Sequence, residues 1–397
     1  MKILIVGGTG LISTAVVNEA VSRGFDVTCI VRGKNHGNKL NPKVHLIKGD
    51  AFDVEFVRAS LEGKYYDAII DFIRGGTYLI DIAFQSFHDK CKQYIYISTD
   101  SVYKLRKDGI YDEKCEQPNP EWSYSYGKSA GEDRLKELCS NSKMKYTIVR
   151  PSITYGNTRI PYGYMPGYGF HYTLINRIKA GKPVLTWNNG QNYQTMMRSE
   201  DFAVGILGLV GNESAYNEDF GVCGDAYKWD DVLKAVEKAT GHKIIREDIS
   251  LETIIKFHPE KKGEFLIDRA ENHIVSNRKL KSVVPDFRVR YSLDEGVKMT
   301  LDYYKKNNQI MGNDYEFDGM MDSLIRKNTP PHTHLLKFVN YDNKNYLGNY
   351  VSYLYGYYHN NILVKGVNIV KRYIGLIPRI VRKNLKILRL NGIFKAK

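Results

Sequence analysis

The sequence contains no apolar run of about 18 residues, so no helix is expected to cross a bilayer. Cysteine is scarce: Cys29, Cys91, Cys115, Cys139 and Cys223 are scattered, and none forms a C-x-x-C pair. That pattern speaks against a disulfide framework and against a zinc site, and it suits a reducing cytoplasm. The ten histidines offer one close pair, His332 and His334, with no third ligand at helical spacing, so no metal site is expected. The opening apolar run stops at Gly7, too short for a signal-peptide core, and export is not expected. No internal repeat is visible. Acidic residues are missing from one stretch altogether: residues 361–397 hold ten Lys or Arg and no Asp or Glu. They supply most of the net charge of +14 and leave only +4 for residues 1–360. The body is therefore ordinary in charge and a nucleic-acid partner is not expected of it; attraction to a polyanion would have to come from the tail.

What is present describes an ordered globular chain. At 397 residues, 43% hydrophobic and 26% charged, it can bury a large core and still build a second lobe. Short apolar runs alternate with helix-length segments over the first 150 residues: strands at Lys2–Val6, Asp26–Val31, Val44–Ile47, Ala68–Phe72, Gln93–Ile97 and Lys145–Val149, and a helix over Ser13–Arg23. This alternation predicts an α/β fold with a parallel sheet covered on both faces. After Pro151 the pattern loosens through the Gly/Tyr/Pro-rich stretch Tyr155–Tyr172, then resumes with helices at Trp229–Thr240 and Leu293–Lys305. The expected domains are a dinucleotide-binding domain at 1–150, an interleaved substrate lobe at 151–329, and an extension at 330–397 that begins at Pro330-Pro331.

Gly7-Gly8-Thr9-Gly10-Leu11-Ile12-Ser13 joins the first strand to the first helix. Glycines at such a turn let the backbone approach a pyrophosphate, which then sits on the helix N-terminus. Gly7, Thr9, Gly10, Leu11 and Ile12 are thus candidate cofactor residues, although Ser13 stands where a third glycine is usual. The second strand ends in Val31-Arg32-Gly33-Lys34, without the acid that would hold a ribose 2′-OH. Arg32 would pair with a 2′-phosphate, so NADP is favoured over NAD; the plain alternative is a solvated loop charge. Asp50 after the third strand suits a contact to the adenine amino group, or simply a turn.

Tyr124 and Lys128 lie four apart in a helical segment that runs to Leu138, so they share a face. An ammonium there lowers the phenol pKa, and the phenol can exchange a proton with a carbinol or carbonyl as hydride moves. In a chain with 30 tyrosines the spacing alone says little, and Tyr103…Lys107 matches it too. Order separates the two. Thr99 closes the fifth strand, where its hydroxyl can share a substrate oxygen with Tyr124, whereas Tyr103 sits in the loop directly after Thr99.

With these motifs the sequence resembles the extended short-chain dehydrogenase/reductases grouped as NAD-dependent epimerase/dehydratases, over about residues 1–305. The resemblance rests on Gly7–Ile12, Ser98–Tyr103, Tyr124…Lys128, Arg150–Gly156, Arg198–Ala203, and Val284–Phe287 followed by Ser292–Gly296. It implies a Rossmann-like doubly wound domain, a smaller C-terminal lobe for a nucleoside-diphosphate sugar, and transient oxidation at a sugar carbon. It implies Tyr124 as acid/base, Lys128 as pKa modulator and ribose ligand, and Thr99 as hydroxyl partner. Two departures stand out. The family's 4,6-dehydratases carry Thr-Asp-Glu where this chain has Thr99-Asp100-Ser101, so Asp100 supplies half of a dehydration pair. Epimerisation or ketosugar reduction is therefore expected before dehydration. Asp67–Ile73 lacks the usual small residue after the fourth strand and looks more like a branch that includes chloroplast RNA-binding relatives. That supplies a rival, an RNA-binding protein on a dehydrogenase fold; the modest charge of the body and the retained Thr99/Tyr124/Lys128 set favour the enzyme.

From Val364 the chain reads as a basic amphipathic segment, with Val370, Ile374, Ile377, Val381 and Leu388 on one face and Pro378 dividing it. Such helices lie on anionic membrane surfaces, which would make the protein peripheral; alternatively the stripe packs on the body or on the partner in a homodimer.

Overall fold

The structure, a computed structural model, describes residues 1–33, 40–167, 169–307, 312–329, 334–342 and 344–361. Contacts divide the chain into two compact units, Met1–Gly312 and Asn313–Lys397.

The first unit is built on a seven-stranded parallel sheet. Its first five strands are β1 (Lys2–Val6), β2 (Asp26–Val31), β3 (His45–Lys48), β4 (Tyr66–Asp71) and β5 (Cys91–Ile97). Lys145–Pro151 and Glu218–Val222 complete it, in the spatial order Glu218–Val222, Lys145–Pro151, β5, β4, β1, β2, β3. Every ladder in it is parallel. The order reverses at β1, which puts the crevice at the carboxyl end of β1. The α/β, Rossmann-like expectation is met, with strand ends displaced by a residue or two. The seventh strand was not visible in the sequence.

Alternation along β1 explains the two helical layers. Ile3 and Ile5 point into one core with Val16 and Val17 of α1 (Leu11–Ser22) and with Phe202 and Ile206 of the helix Ser199–Leu209. Leu4 and Val6 point into the other with Ile80 of α3 (Thr77–Phe87) and Leu135 of α4 (Ser123–Cys139), α2 (Val54–Ser60) contributing Val57. All four β1 side chains are fully buried. At about 1.5–3 kcal/mol for each, such a strand is held only with both faces covered, which is why it reads as an unbroken apolar run.

The lobe interleaves with this sheet. After Lys145–Pro151 the chain forms Ile153–Tyr155, parallel to Tyr193–Arg198, and then returns to the first sheet through Ser199–Leu209 and Glu218–Val222. Motifs far apart in sequence meet here. Arg198 donates to Gly296 O at 2.7 Å, Thr300 Oγ1 donates to Gly156 O at 2.9 Å, and a Cβ on Gly296 would lie 2.1 Å from the Tyr155 hydroxyl. The helix Leu293–Lys306 begins in a capping box, Ser292 Oγ accepting from Glu295 N and Glu295 accepting from Ser292 N.

In the second unit Tyr315–Asn328 packs against Tyr346–Tyr357. The helices approach closely at Gly319 and Gly356, where a Cβ would strike backbone oxygen of the facing helix. Tyr353 donates to Asp322 at 2.7 Å. The amphipathic segment expected beyond Val364, Lys34 and His332 lie outside the described residues, and His334 is exposed. Among the described residues no helix is long and apolar enough to cross a membrane. All five cysteines are free.

Candidate active site

A cavity of about 560 Å3 opens at the carboxyl ends of the strands, within the range of small-molecule sites. Thr99 and Asp100, at the end of β5, line it together with Tyr124 and Lys128 from α4 and Ile12 from the first turn of α1. Tyr103, the competing tyrosine, is fully buried elsewhere, where it accepts from Arg150 at 3.1 Å and stacks on Tyr111.

Two residues past β5, Thr99 caps a 3-10 turn, its Oγ1 accepting from Ser101 N at 3.2 Å; the same hydroxyl donates to Ser101 Oγ at 3.1 Å. The Tyr124 ring leans on Trp122 at 4.8 Å and remains half exposed. Lys128, one turn on, is buried. Its Nζ donates to Arg74 O at 2.6 Å and Ile97 O at 2.8 Å and lies 5.0 Å over the Tyr96 ring. Burial brings its pKa down to about 8, against the opposing pull of Asp71 and Glu132.

The remaining predicted residues lie outside that lining, along the sheet's carboxyl edge. Gly7, Thr9, Gly10 and Leu11 make the turn after β1; Arg32 follows β2 and is exposed. Asp50 is exposed and its carboxylate accepts from Phe52 N at 3.1 Å, a turn-forming bond. Within the glycine turn, Ser13 Oγ donates to Gly7 O at 2.6 Å and accepts from Gly10 N at 2.9 Å, so the third-glycine position braces the loop. Gly7 has φ +85°, and a Cβ there would lie 2.4 Å from Ile73. The bulky residue after β4 is thus accommodated by the glycine it covers. The N-cap, Gly10, offers no side chain to the first turn of α1, which leaves an open helix N-terminus suited to an anion. The residues present fit a dinucleotide.

Sequence reasoning missed the lobe's contribution. Asp268, Arg269 and His273 also line the cavity. Ser101 Oγ donates to Asp268 Oδ1 at 2.8 Å, and His273 Nε2 lies 3.4 Å from Asp100 Oδ2, at ion-pair distance but without an aligned hydrogen bond. Tertiary folding brings these residues to Asp100 and Ser101, the neighbours of Thr99.

The chain belongs to the NAD dependent epimerase/dehydratase family, whose description matches residues 3–223. Among curated relatives, the Chloroplast stem-loop binding protein of 41 kDa b of Arabidopsis thaliana is 29% identical over 60% of this chain. That match spans 63% of the relative's own length. The dTDP-D-glucose 4,6-dehydratase of Mus musculus is 22% identical over 77% of this chain and 89% of its own. The solved UDP-glucuronic acid 4-epimerase from Bacillus cereus, in complex with UDP-glucuronic acid and NAD, aligns with a TM-score of 0.61 at 18% identity, covering 77% of this chain and 99% of that one. The dTDP-glucose 4,6-dehydratase from Bacillus anthracis, in complex with NAD, gives 0.62 at 18% identity over 78% and 98%. At these identities the structural likeness shows the fold alone.

Proposed function

We propose that the protein is an NAD(P)-dependent enzyme that oxidises a carbon of a nucleoside-diphosphate sugar transiently, as an epimerase or ketosugar reductase in glycan precursor synthesis. The observation that carries this reading is the meeting of Thr99, Tyr124 and Lys128 with Ile12, from the first turn of α1, in one cavity. A bound nicotinamide supplies the hydride acceptor. Thr99 and Tyr124 hold the sugar hydroxyl, Tyr124 takes its proton, and the Lys128 ammonium favours the phenolate. The α1 N-terminus holds the pyrophosphate and Asp50 the adenine amino group. Both 4,6-dehydratases and 4-epimerases stand among the relatives, and dehydration is the alternative reading. The test is a panel of UDP-, dTDP-, GDP- and CDP-sugars, with products analysed by mass and NMR. Tyr124→Phe should lower turnover by about 100-fold or more while cofactor binding persists. Full activity in that variant, or binding of RNA with no sugar nucleotide turned over, would reverse the reading. RNA binding is kept as the second reading because of the stem-loop binding relative.

We further propose NADP over NAD, from Arg32 at the end of β2. We assign residues 1–150 to the cofactor domain, 151–329 to the interleaved lobe and 330–397 to an extension. The enzyme is placed in the cytoplasm, with 361–397 drawn to an anionic membrane surface; packing of that segment in a homodimer is the competing outcome.

A further inference from the structure

Asp268 and His273 from the lobe line the cavity together with Asp100, the neighbour of Thr99, and the three are chemically distinctive. Asp268 and Asp100 are two carboxylates largely withdrawn from water, their side chains 18% and 11% exposed. Both line the cavity, so what exposure they keep faces substrate space. His273 lies against Asp100 and is held by stacking on Tyr111 at 4.3 Å. A continuous chain of hydroxyls connects this group to the position where the substrate oxygen is expected: Thr99 Oγ1 donates to Ser101 Oγ, and Ser101 Oγ donates to Asp268 Oδ1. Asp268 is therefore anchored two hydrogen bonds from the hydroxyl that would touch the oxidised centre. Asp268 thus shares one cavity with Thr99, Tyr124 and Lys128.

We infer that Asp268, supplied by the lobe, is a second proton-transfer group of the site, acting on the carbon adjacent to the oxidised one. Asp100 and His273 position it and stabilise its charge changes. The inference rests on the hydride-transfer reading above and extends it from one transferred proton to two. Once the sugar hydroxyl has become a carbonyl, the neighbouring C–H is acidified. The Asp268 carboxylate takes that proton; the C–H electron pair becomes the carbon–carbon double bond of an enolate, and the carbonyl π pair moves to oxygen. The enolate oxygen accepts a hydrogen bond from protonated Tyr124, while Thr99 keeps its own proton on Ser101 Oγ. Return of a proton from Asp268 to the same face restores the ketone with retention, and solvent deuterium enters when the Asp268 carboxyl has exchanged its proton. Ser101, which stands where a dehydratase glutamate is usual, thus serves as the tether of a carboxylate that arrives from elsewhere in the fold.

Local electrostatics suit the task. Burial raises the Asp268 pKa to about 6, Arg269 opposing and Asp100 reinforcing the rise. Burial works against a charged His273, but Asp100 and then Asp268 more than offset it, and its pKa is raised. A base whose pKa lies near neutrality combines availability with proton affinity. The other charged groups lining this end of the cavity are Arg269, Lys261, Glu264 and Arg159.

The experiment follows solvent deuterium. Full-length protein is incubated in D2O with NAD+ or NADP+ and, in parallel, UDP-glucose, UDP-glucuronic acid and dTDP-glucose. Ring-carbon deuterium is read by NMR, and reduced nicotinamide by its absorbance. Deuterium is expected at the carbon next to the oxidised one in recovered sugar. Asp268→Asn should cut that wash-in by about 100-fold while reduced nicotinamide still forms, and Asp268→Glu should restore part of it. Ser101→Ala, which only releases the tether, should cut it about 10-fold and covers the case in which Asp268→Asn does not fold. Hydride transfer without deuterium in the wild type, or unchanged wash-in in both variants, overturns the inference and leaves the hydride-transfer reading standing. Absence of any reduced nicotinamide or product with all three sugars defeats that reading, and this inference with it.

Discussion

Replacing Lys128 by Met should stabilise the protein near neutral pH while removing its activity. The Lys128 pKa falls from the ordinary 10.5 to about 8 in the folded protein, because burial penalises the ammonium more than Asp71 and Glu132 reward it. The folded state therefore binds this proton more weakly than the unfolded chain. The cost is fully present below pH 8 and fades as pH rises toward 10.5. At about 1.36 kcal/mol per pKa unit, the charge costs about 3 kcal/mol at about pH 7 and about 1.4 kcal/mol at about pH 9.5. Met removes that cost but also leaves Arg74 O and Ile97 O without their donor. Each lost bond costs about 1 kcal/mol regardless of pH. The net at about pH 7 is a variant more stable by about 1 kcal/mol, and at about pH 9.5 one that is level or slightly less stable. Unfolding curves at the two pH values read this directly, and the change of about 2 kcal/mol between them isolates the titration from the lost bonds. A variant less stable than wild type at both, by the same amount, would refute the placement of a charged lysine in this buried position. Activity should fall in either case, since the phenol of Tyr124 loses its modulator.

Two further outcomes follow from the sequence. Wild-type protein should bind NADP(H) at least as tightly as NAD(H), and Arg32→Ala should weaken NADP(H) alone by about 10-fold, an effect of about 1.4 kcal/mol; binding titrations with both cofactors decide it, and a clear wild-type preference for NAD removes the argument. A chain ending at Asn361 should keep cofactor binding and turnover but lose sedimentation with anionic vesicles that weakens as salt is added, since each basic residue near such a surface contributes about 1 kcal/mol. Insoluble or inactive truncated protein would place the stripe of Val370, Ile374 and Ile377 on the body or on a second subunit instead.

Much of the cofactor half was legible in the sequence because its signals are local. An apolar run such as Ile3–Val6 reports its own burial on both faces. A glycine turn between strand and helix reports its own backbone need, and a tyrosine four residues before a lysine reports a shared helix face. Thr99, Tyr124 and Lys128 could be named because order along the chain separated them from Tyr103, which the fold buries against Arg150. The seventh strand, Glu218–Val222, was missed: it starts with Glu218 and Asp219 and carries Gly221, so its composition does not suggest a sheet position. Only pairing with Lys145–Pro151 makes it one.

The sequence by itself determined the parallel α/β core, the glycine turn after β1 and the shared helix face of Tyr124 and Lys128, since each depends on residues close together in the chain. Only the tertiary structure decided which carboxylates and histidine face that pair. Asp268 reaches Ser101 and His273 reaches Asp100 because the lobe folds back across the sheet, and no period or spacing in a linear chain records a contact closed over so many residues.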